Sequence, residues 1–244
     1  TLMTPRKWRV WHRWLSLIVG LQLVVWSISG AYMVYFDLSF IHGNHLVKEL
    51  EQPMAKNTLN SPISWVLEQN PEATSVRLIQ QWIDGSLQPV YSVENKAGTQ
   101  LLMAESLEPI ELDRMDIGYI ARQHYSGDKD TKAQVSFIED KAPGELNPAL
   151  LPVWRVDFND MAGATLYFSA ATGELVTKRH DFWRMFDFFW MLHIMDYQDR
   201  VDIETWWLKA FSIANGLFLI TGVALLYFHY RPRKRGRKKR RRSV

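Results

Sequence analysis

The chain has 244 residues, 47% hydrophobic and 13% aromatic, no cysteine, and a formal net charge of +3. The missing cysteine excludes disulfides, thiolate zinc sites, iron–sulfur clusters, covalently attached c-type haem and a cysteine nucleophile. The near-neutral total hides a segregation: residues 1–36 carry four Lys/Arg and no acid, residues 230–244 carry ten and no acid, and the middle holds fifteen basic against twenty-six acidic side chains.

Taken in chain order, residues 1–14 form a basic N-terminal segment, and residues 15–36 are an uncharged run of 22. At about 1.5 Å per residue such a run crosses the roughly 30 Å of a bilayer's hydrocarbon core. Trp8, Trp11 and Trp14 precede it as an interfacial belt. The run is longer than a signal-peptide core, and residues 32–36 offer no small-x-small cleavage site. An outer linker, 37–60, follows. Residues 207–229 form the second span, whose stretch 210–228 is uncharged, with Lys209 placed to snorkel and Trp206, Trp207 and Tyr230 at its ends. The basic tail 230–244 closes the chain.

Lys and Arg close to a span stay on the cytoplasmic side. Arg6, Lys7, Arg9, Arg13 and the cluster at 231–242 therefore place both termini inside a bacterial inner membrane, with the acidic residues 37–206 in the periplasm. Directly after a span, the tail serves topology and contact with anionic lipid, and no nucleic-acid partner is expected.

Between the spans the pattern turns soluble and occurs twice. Pro89-Val90-Tyr91-Ser92-Val93 leads to Ala97-Gly98-Thr99-Gln100-Leu101 and a short exit strand. Pro152-Val153-Trp154-Arg155-Val156 leads to Ala162-Gly163-Ala164-Thr165-Leu166 and then Ala171-Thr172-Gly173-Glu174. Each copy reads as strand, turn, strand, turn and exit strand. Upstream of each lie a short helix and one more strand. In the first copy these are 63–69, begun by Ser61-Pro62 as cap and first-turn proline, and 75–83; in the second they are 114–125 and 134–138. Two units, 61–112 and 113–179, each of one helix against about three antiparallel strands, predict an α+β domain with a shared core. Residues 180–200 then predict an amphipathic helix on the outer interface or over the helix bundle. There Phe182, Trp183, Phe186, Phe189, Trp190, His193, Ile194 and Tyr197 recur at helical spacing.

Arg9-x-x-His12-Arg13-Trp14-Leu15 running into Gly20-Leu21 and Ser29-Gly30, the strand pattern ending in Ala171-Thr172-Gly173-Glu174, Met191-Leu192-His193, and Thr221-Gly222 occur in this order along most of the chain. In that order they resemble PepSY-domain proteins with PepSY-associated transmembrane helices. The resemblance implies a tandem PepSY-like α+β domain outside the membrane, anchored by two transmembrane α-helices. Members of that family with four or more spans include inner-membrane ferric-siderophore reductases carrying b-type haem on histidines at helix ends. Other PepSY domains occur in propeptides that inhibit thermolysin-like metallopeptidases. This chain departs from the reductases in having two spans.

Two neutral imidazoles at matching depth are what a bis-histidine haem b needs. His12 and His229 both fall near the cytoplasmic ends of an antiparallel pair. His193 lies on the apolar face of the aromatic helix, and His42 and His45 follow the first span. The candidate ligands are His12, His193 and His229, then His42 or His45, while His124 and His180 read as surface residues. For close helix packing the small residues Ser16, Gly20, Ser27, Gly30 and Ala31 in the first span and Ala210, Ala214, Thr221 and Gly222 in the second are the candidates. The spans also share Ser29-Gly30-x4-Tyr35-Phe36 and Thr221-Gly222-x4-Tyr227-Phe228, a match that apolar helices make easily and that is not read as a repeat. Gln22 is the one amide side chain within the first span and is expected to face a helix or cavity.

No HExxH, GxSxG, Walker or GxGxxG motif is present, so no catalytic residue is assigned. The acidic clusters at 105–116 and 128–140 lack calcium-loop spacing and read as solvated faces. Three functional readings stay open. The leading one is an accessory or small electron-transfer subunit of an inner-membrane redox or iron-siderophore-type reduction system. There, electrons would pass from a site near His12 and His229 toward one near His193. The others are a periplasmic binding module that restrains a peptidase or other secreted partner, and a structural subunit or homo-oligomer within a larger membrane complex.

Overall fold

The computed structural model describes residues 4–50 and 62–231. Ser61, part of the outer linker and nearly all of the basic tail lie outside these residues. The chain divides into two compact units, a helical one (residues 1–35 with 187–244) and an α+β one (residues 36–186).

The α+β unit opens with the short helix α2 (Leu38–Ile41), which follows α1 (Pro5–Tyr35) of the other unit in sequence, and continues with α3 (Ile63–Gln69). Pro62 stands at the N-cap of α3 with extended dihedrals, one place before the first turn expected for it. Strands β1 (Ser75–Ile83), β2 (Ser86–Asn95), β3 (Gly98–Met103) and β4 (Pro109–Ile110) form one antiparallel sheet in that order. The β1–β2 hairpin turns through Asp84 and Gly85, both with positive φ, the two-residue geometry whose twist matches the strands it joins. After α4 (Arg114–His124), strands β5 (Ala133–Ile138), β6 (Val153–Phe158), β7 (Thr165–Ser169) and β8 (Leu175–Arg179) repeat the arrangement in a second sheet. Each sheet has four strands because the exit segments pair as β4 and β8.

The central strands β2 and β7 are buried at successive residues, 90–93 and 165–168, as a sheet covered on both faces requires. Val90 and Leu101 of the first sheet and Val156, Leu166 and Phe168 of the second share one core with Ile117, Ile120 and Ala121 of α4. On the opposite faces, Val66 of α3 meets Tyr91, Val93 and Leu102, and Leu146 meets Val153 and Tyr167. The single helix α4 therefore serves both sheets. Its position is fixed electrostatically as well: Asp113 Oδ1 accepts from the N–H groups of Met115 and Asp116 at 2.7 and 2.9 Å. Asp116 Oδ2 accepts from Asp113 N, and its Oδ1 accepts from Asp84 N at 2.9 Å. This capping box spends two carboxylates of the 105–116 cluster on backbone donors that would otherwise be orphaned. The Ala171-Thr172-Gly173-Glu174 turn needs its glycine. Gly173 has φ +68°, and a Cβ there would fall 2.6 Å from Leu112 Cδ1 and 2.9 Å from Gln81 Nε2. That close approach lets Gln81 donate to Thr172 O at 2.5 Å.

A second polar network holds the 139–152 loop against the second sheet. Glu145 accepts from the Tyr167 hydroxyl at 2.6 Å and from Arg184 Nε at 2.8 Å, and Arg184 also donates to Thr165 Oγ1 at 2.9 Å. Burial pushes the Glu145 carboxyl upward, but the bonds from Arg184 and Tyr167 outweigh it and hold the group below its ordinary range. Burial and the Glu145 carboxylate push the Tyr167 phenol up. Tyr125 is pushed up to about 12, by burial first and then by its hydrogen bond to Asp160.

The helical unit contains α1 (Pro5–Tyr35), residues 187–194 of α5 (Asp181–Ile194), and α6 (Trp206–Tyr230). α1 starts well before the uncharged run, with Pro5 at the first helical position, where its missing N–H costs nothing. Only 11% and 6% of the most apolar windows of α1 and α6 are buried. Helices so apolar and so uncovered are not the core of a soluble domain, and the chain is a membrane protein. The half-buried stripe of α1 runs through His12, Ser16, Val19, Leu23, Trp26 and Ser29, while Ser27 and Ala31 are exposed. Between α5 and α6, Asp196 is buried and accepts from the N–H groups of Gln198, Asp199, Val201 and Asp202 at 3.0–3.3 Å. Those bonds, led by Asp202's, hold its pKa down. Thr205 caps α6 through Leu208 N.

Removal of the α4 cap by Asp113→Ala is expected to destabilise the α+β unit by about 1 kcal/mol, read by chemical denaturation of the intact chain in detergent. Because the Glu145 pKa is lowered in the folded state, its contribution is complete above the unfolded value and fades as pH falls through the folded one. Glu145→Gln should therefore cost about 1–3 kcal/mol at neutral pH and flatten the acid limb of the stability profile. An unchanged limb would count against the network.

Candidate functional site

Two imidazoles in the helical unit occupy matching settings. His12 of α1 has its Nδ1 2.9 Å from Thr221 Oγ1 of α6. Its ring lies parallel to Phe218, with centroids 4.7 Å apart and planes inclined by 8°. His193, at the end of α5, has its Nδ1 2.8 Å from Ser29 Oγ of α1. In each case the hydroxyl residue is followed by glycine, and the glycine leaves room for the ring. A Cβ on Gly222 would stand 3.4 Å from His12 Cε1, and one on Gly30 would stand 3.6 Å from His193 Cε1. The two hydroxyl–glycine pairs are thus two cradles, and His12 and Ser29, both on α1, are about 25 Å apart along its axis.

The His193 cradle is tied down by the polar residues of the span. Trp26 Nε1 donates to His193 O at 2.9 Å and Gln22 Nε2 to Leu192 O at 3.4 Å. These carbonyls belong to the last turn of α5, which has no helical N–H to offer them. Gln22, expected to face a helix or cavity, is spent there.

His12 also opens onto a cavity of about 1170 Å3, whose walls include His229, Arg9, Arg231, Gly222 and Phe228. Of the sequence candidates, His12 and His229 both line one site, with two guanidinium groups and no carboxylate among the described lining residues. His42 belongs to the α+β unit, where it caps α2 and borders a cavity of about 260 Å3 with Asn44 and Lys178. His45 stacks on Phe40 at 4.6 Å. His124 is half-buried, with its pKa lowered by burial.

Three expectations are corrected. His180 is no surface residue: it is fully buried, with Nε2 3.0 Å from both Phe40 O and Ile41 O, because it follows the edge strand β8 into the chain's interior. Burial lowers its pKa. Within the chain, Gly20 is not a point of close helix approach, since a Cβ there would meet nothing within 4 Å. Gly30 and Gly222 are contact points, but what they admit is an imidazole edge. Ala214 of α6 is half-buried, and Ala210 is exposed. The residues missed outright were Ser29 as a histidine partner and the pairing of Thr221 with His12. Their signal was the Ser/Thr-Gly-x4-Tyr-Phe match between the spans, which has one use in both helices. Among the described residues no three His, Asp or Glu side chains are grouped as a metal site.

The family model for the PepSY-associated TM region matches residues 8–244. The chain belongs to that family. No curated protein and no solved structure matches it. The match runs through both spans, so the hydroxyl–glycine cradles, and the residues of the basic cavity other than Pro5, lie inside the PepSY-associated region.

The two glycines separate packing from permissiveness in this PepSY-associated chain. Gly222→Leu is expected to cost about 1–3 kcal/mol of helical-unit stability by overpacking against His12. Gly20→Leu, with the same gain in helix propensity and open space beside it, should not be destabilising. Unfolding of both variants in mixed micelles, followed by circular dichroism, checks the difference.

Proposed function

We propose that this PepSY-associated chain is a small electron-transfer subunit of an inner-membrane redox system of the metal-reducing kind, with its basic termini on the cytoplasmic side. The observation that carries the reading is the cavity in which His12 and His229 meet. Its residues fit a b-type haem. Two histidines line one space, whose volume is somewhat above that of ordinary small-molecule clefts, typically about 300–1000 Å3. His12 is anchored through one nitrogen and leaves the other available, and Arg9 and Arg231 suit a pair of carboxylates. Bound there, the haem would supply one-electron transfer. The protein's own part is to orient His12 through Thr221, to wall the site with Leu225, Leu226 and Phe228, and to balance acidic substituents with its two arginines. His193, in the other cradle, offers a second oriented imidazole about 25 Å along α1. The orientation rests on the positive-inside asymmetry, four cations before the first span and ten after the second.

A second reading is favoured by one feature of the α+β unit. A cleft of about 370 Å3 between β1 and residues 173–175 is lined by Gln80, Trp82 and His124. Gln80 Oε1 and Trp82 Nε1 are shielded from solvent and, among the described residues, without a partner. A cleft of this size with polar and aromatic walls suits an extracytoplasmic binding module that takes a side chain of a secreted protein.

Dithionite-reduced minus air-oxidised spectra of the chain purified from haem-replete membranes separate the two. Sharp b-type bands, reduced at least tenfold in His12→Ala and in His229→Ala, are expected. A flat spectrum from folded protein would overturn the electron-transfer reading in favour of the binding module.

A further inference from the structure

We infer that Thr221 and Ser29 are positioning residues that fix the tautomers of His12 and His193, so that each neutral ring carries its proton on Nδ1 and presents an unprotonated Nε2. The argument is a count of protons. A hydroxyl has one hydrogen to give, and a carbonyl oxygen has none. Thr221 Oγ1 lies 2.7 Å from Phe218 O, so the proton between those two oxygens is the threonine's. Ser29 Oγ lies 2.8 Å from Val25 O, with Trp26 O at 3.2 Å, and its proton is spent in the same way. Both oxygens nonetheless stand within 2.9 Å of an imidazole Nδ1. The hydrogen in that second bond must come from the ring. Turning the hydroxyl round to donate to the histidine would break its bond to the helix carbonyl, in a setting where Ser29 is 0% and Thr221 6% exposed.

The same count gives the opposite answer for His180 in the α+β unit. Its Nε2 faces two carbonyl oxygens, which only accept, so that ring is protonated on Nε2, and its buried Nδ1 has no partner among the described residues. The chain therefore contains both tautomers, each dictated by its neighbours. Two histidines in separate cradles, each beside a Ser/Thr-Gly pair, share one setting, and it leaves free the ring nitrogen that points away from the main chain. Such a nitrogen would suit a ligand of the class that bonds to a neutral imidazole lone pair, the metal of a haem. That last step alone rests on the haem reading; the tautomer assignment does not.

The test uses the full-length, haem-free chain in nanodiscs, labelled with 15N in its histidine rings. Long-range 1H–15N correlation is recorded at a pH of about 8, above the ordinary imidazole range near 6.5. Signals of the seven histidines are assigned by single His→Gln variants. Protonated Nδ1 and bare Nε2 are expected for His12 and His193, with the reverse for His180. Nε2 protonation of His12 and His193 in the unmodified chain would overturn the inference. Thr221→Val should release His12 to the Nε2-protonated form common for free imidazole, and Thr221→Ser should restore it; Ser29→Ala and Ser29→Thr should do the same for His193. Variants that leave the tautomers unmoved would also overturn it. In haem-loaded protein, Thr221→Val should weaken haem retention about 10–100-fold. The Nδ1-protonated pattern in a chain that binds no haem would sink the electron-transfer reading and leave the tautomer assignment standing.

Discussion

A polar side chain inside an apolar helix pair must find its partner in protein, because the hydrocarbon around it supplies none. The helical unit is arranged around that requirement. Thr221 and Ser29 give their protons to their own helices and receive from histidines, Trp26 and Gln22 cover the last carbonyls of α5, and Asp196 gathers four N–H groups of the following loop. Each such bond is worth about 1 kcal/mol when made and more when left open. The bonds from α1, one to α6 and three to α5, therefore specify its register against both helices more firmly than van der Waals contact between Leu, Ile and Val side chains, which fit many registers, would do.

The α+β unit solves a related problem with charge at its surface and oil at its centre. One helix, α4, has to satisfy two sheets, so an error in its placement would disturb both. Its N-terminus is accordingly held by two carboxylates that accept from its own first turn and from the β1–β2 hairpin. The second sheet is closed by Glu145, which is 13% exposed in its side chain and meets a guanidinium and a phenol. A carboxylate so placed is stabilising only while ionised, which is why its bonds to Arg184 and Tyr167 must prevail over its desolvation.

Much of this was legible in the residues. Uncharged runs of this length have few soluble uses, and the repeated PV-aromatic-x-V followed by a glycine turn marked β2–β3 and β6–β7, because strand and turn chemistry are local. The fold class, an α+β domain with two long apolar helices, followed from those signals. Tertiary choices were less visible. Ser27 and Ala31 are as small as Ser16, but only position along the 3.6-residue stripe decides which of them meets a partner, and composition does not state the phase. His180 read as a surface residue because charged Lys178 and Arg179 precede it, whereas the chain turns inward immediately afterwards. The acidic run at 105–116 looked solvated, though Asp113 and Asp116 are helix caps, a use that depends on where the helix begins.

Histidine makes the same point more sharply. Its two nitrogens are chemically similar in a sequence, and which of them is free is decided by a neighbour's proton supply. Beside a hydroxyl already committed to a helix carbonyl, the ring must donate through Nδ1; beside two bare carbonyls, His180 must donate through Nε2. In the first setting the free nitrogen of His12 belongs to a residue that lines a basic cavity, and in the second the free nitrogen of His180 is sealed in the interior. One residue type is thus made a ligand donor in the helical unit and a packing residue in the α+β unit, and the difference is set by oxygen atoms that belong to other residues.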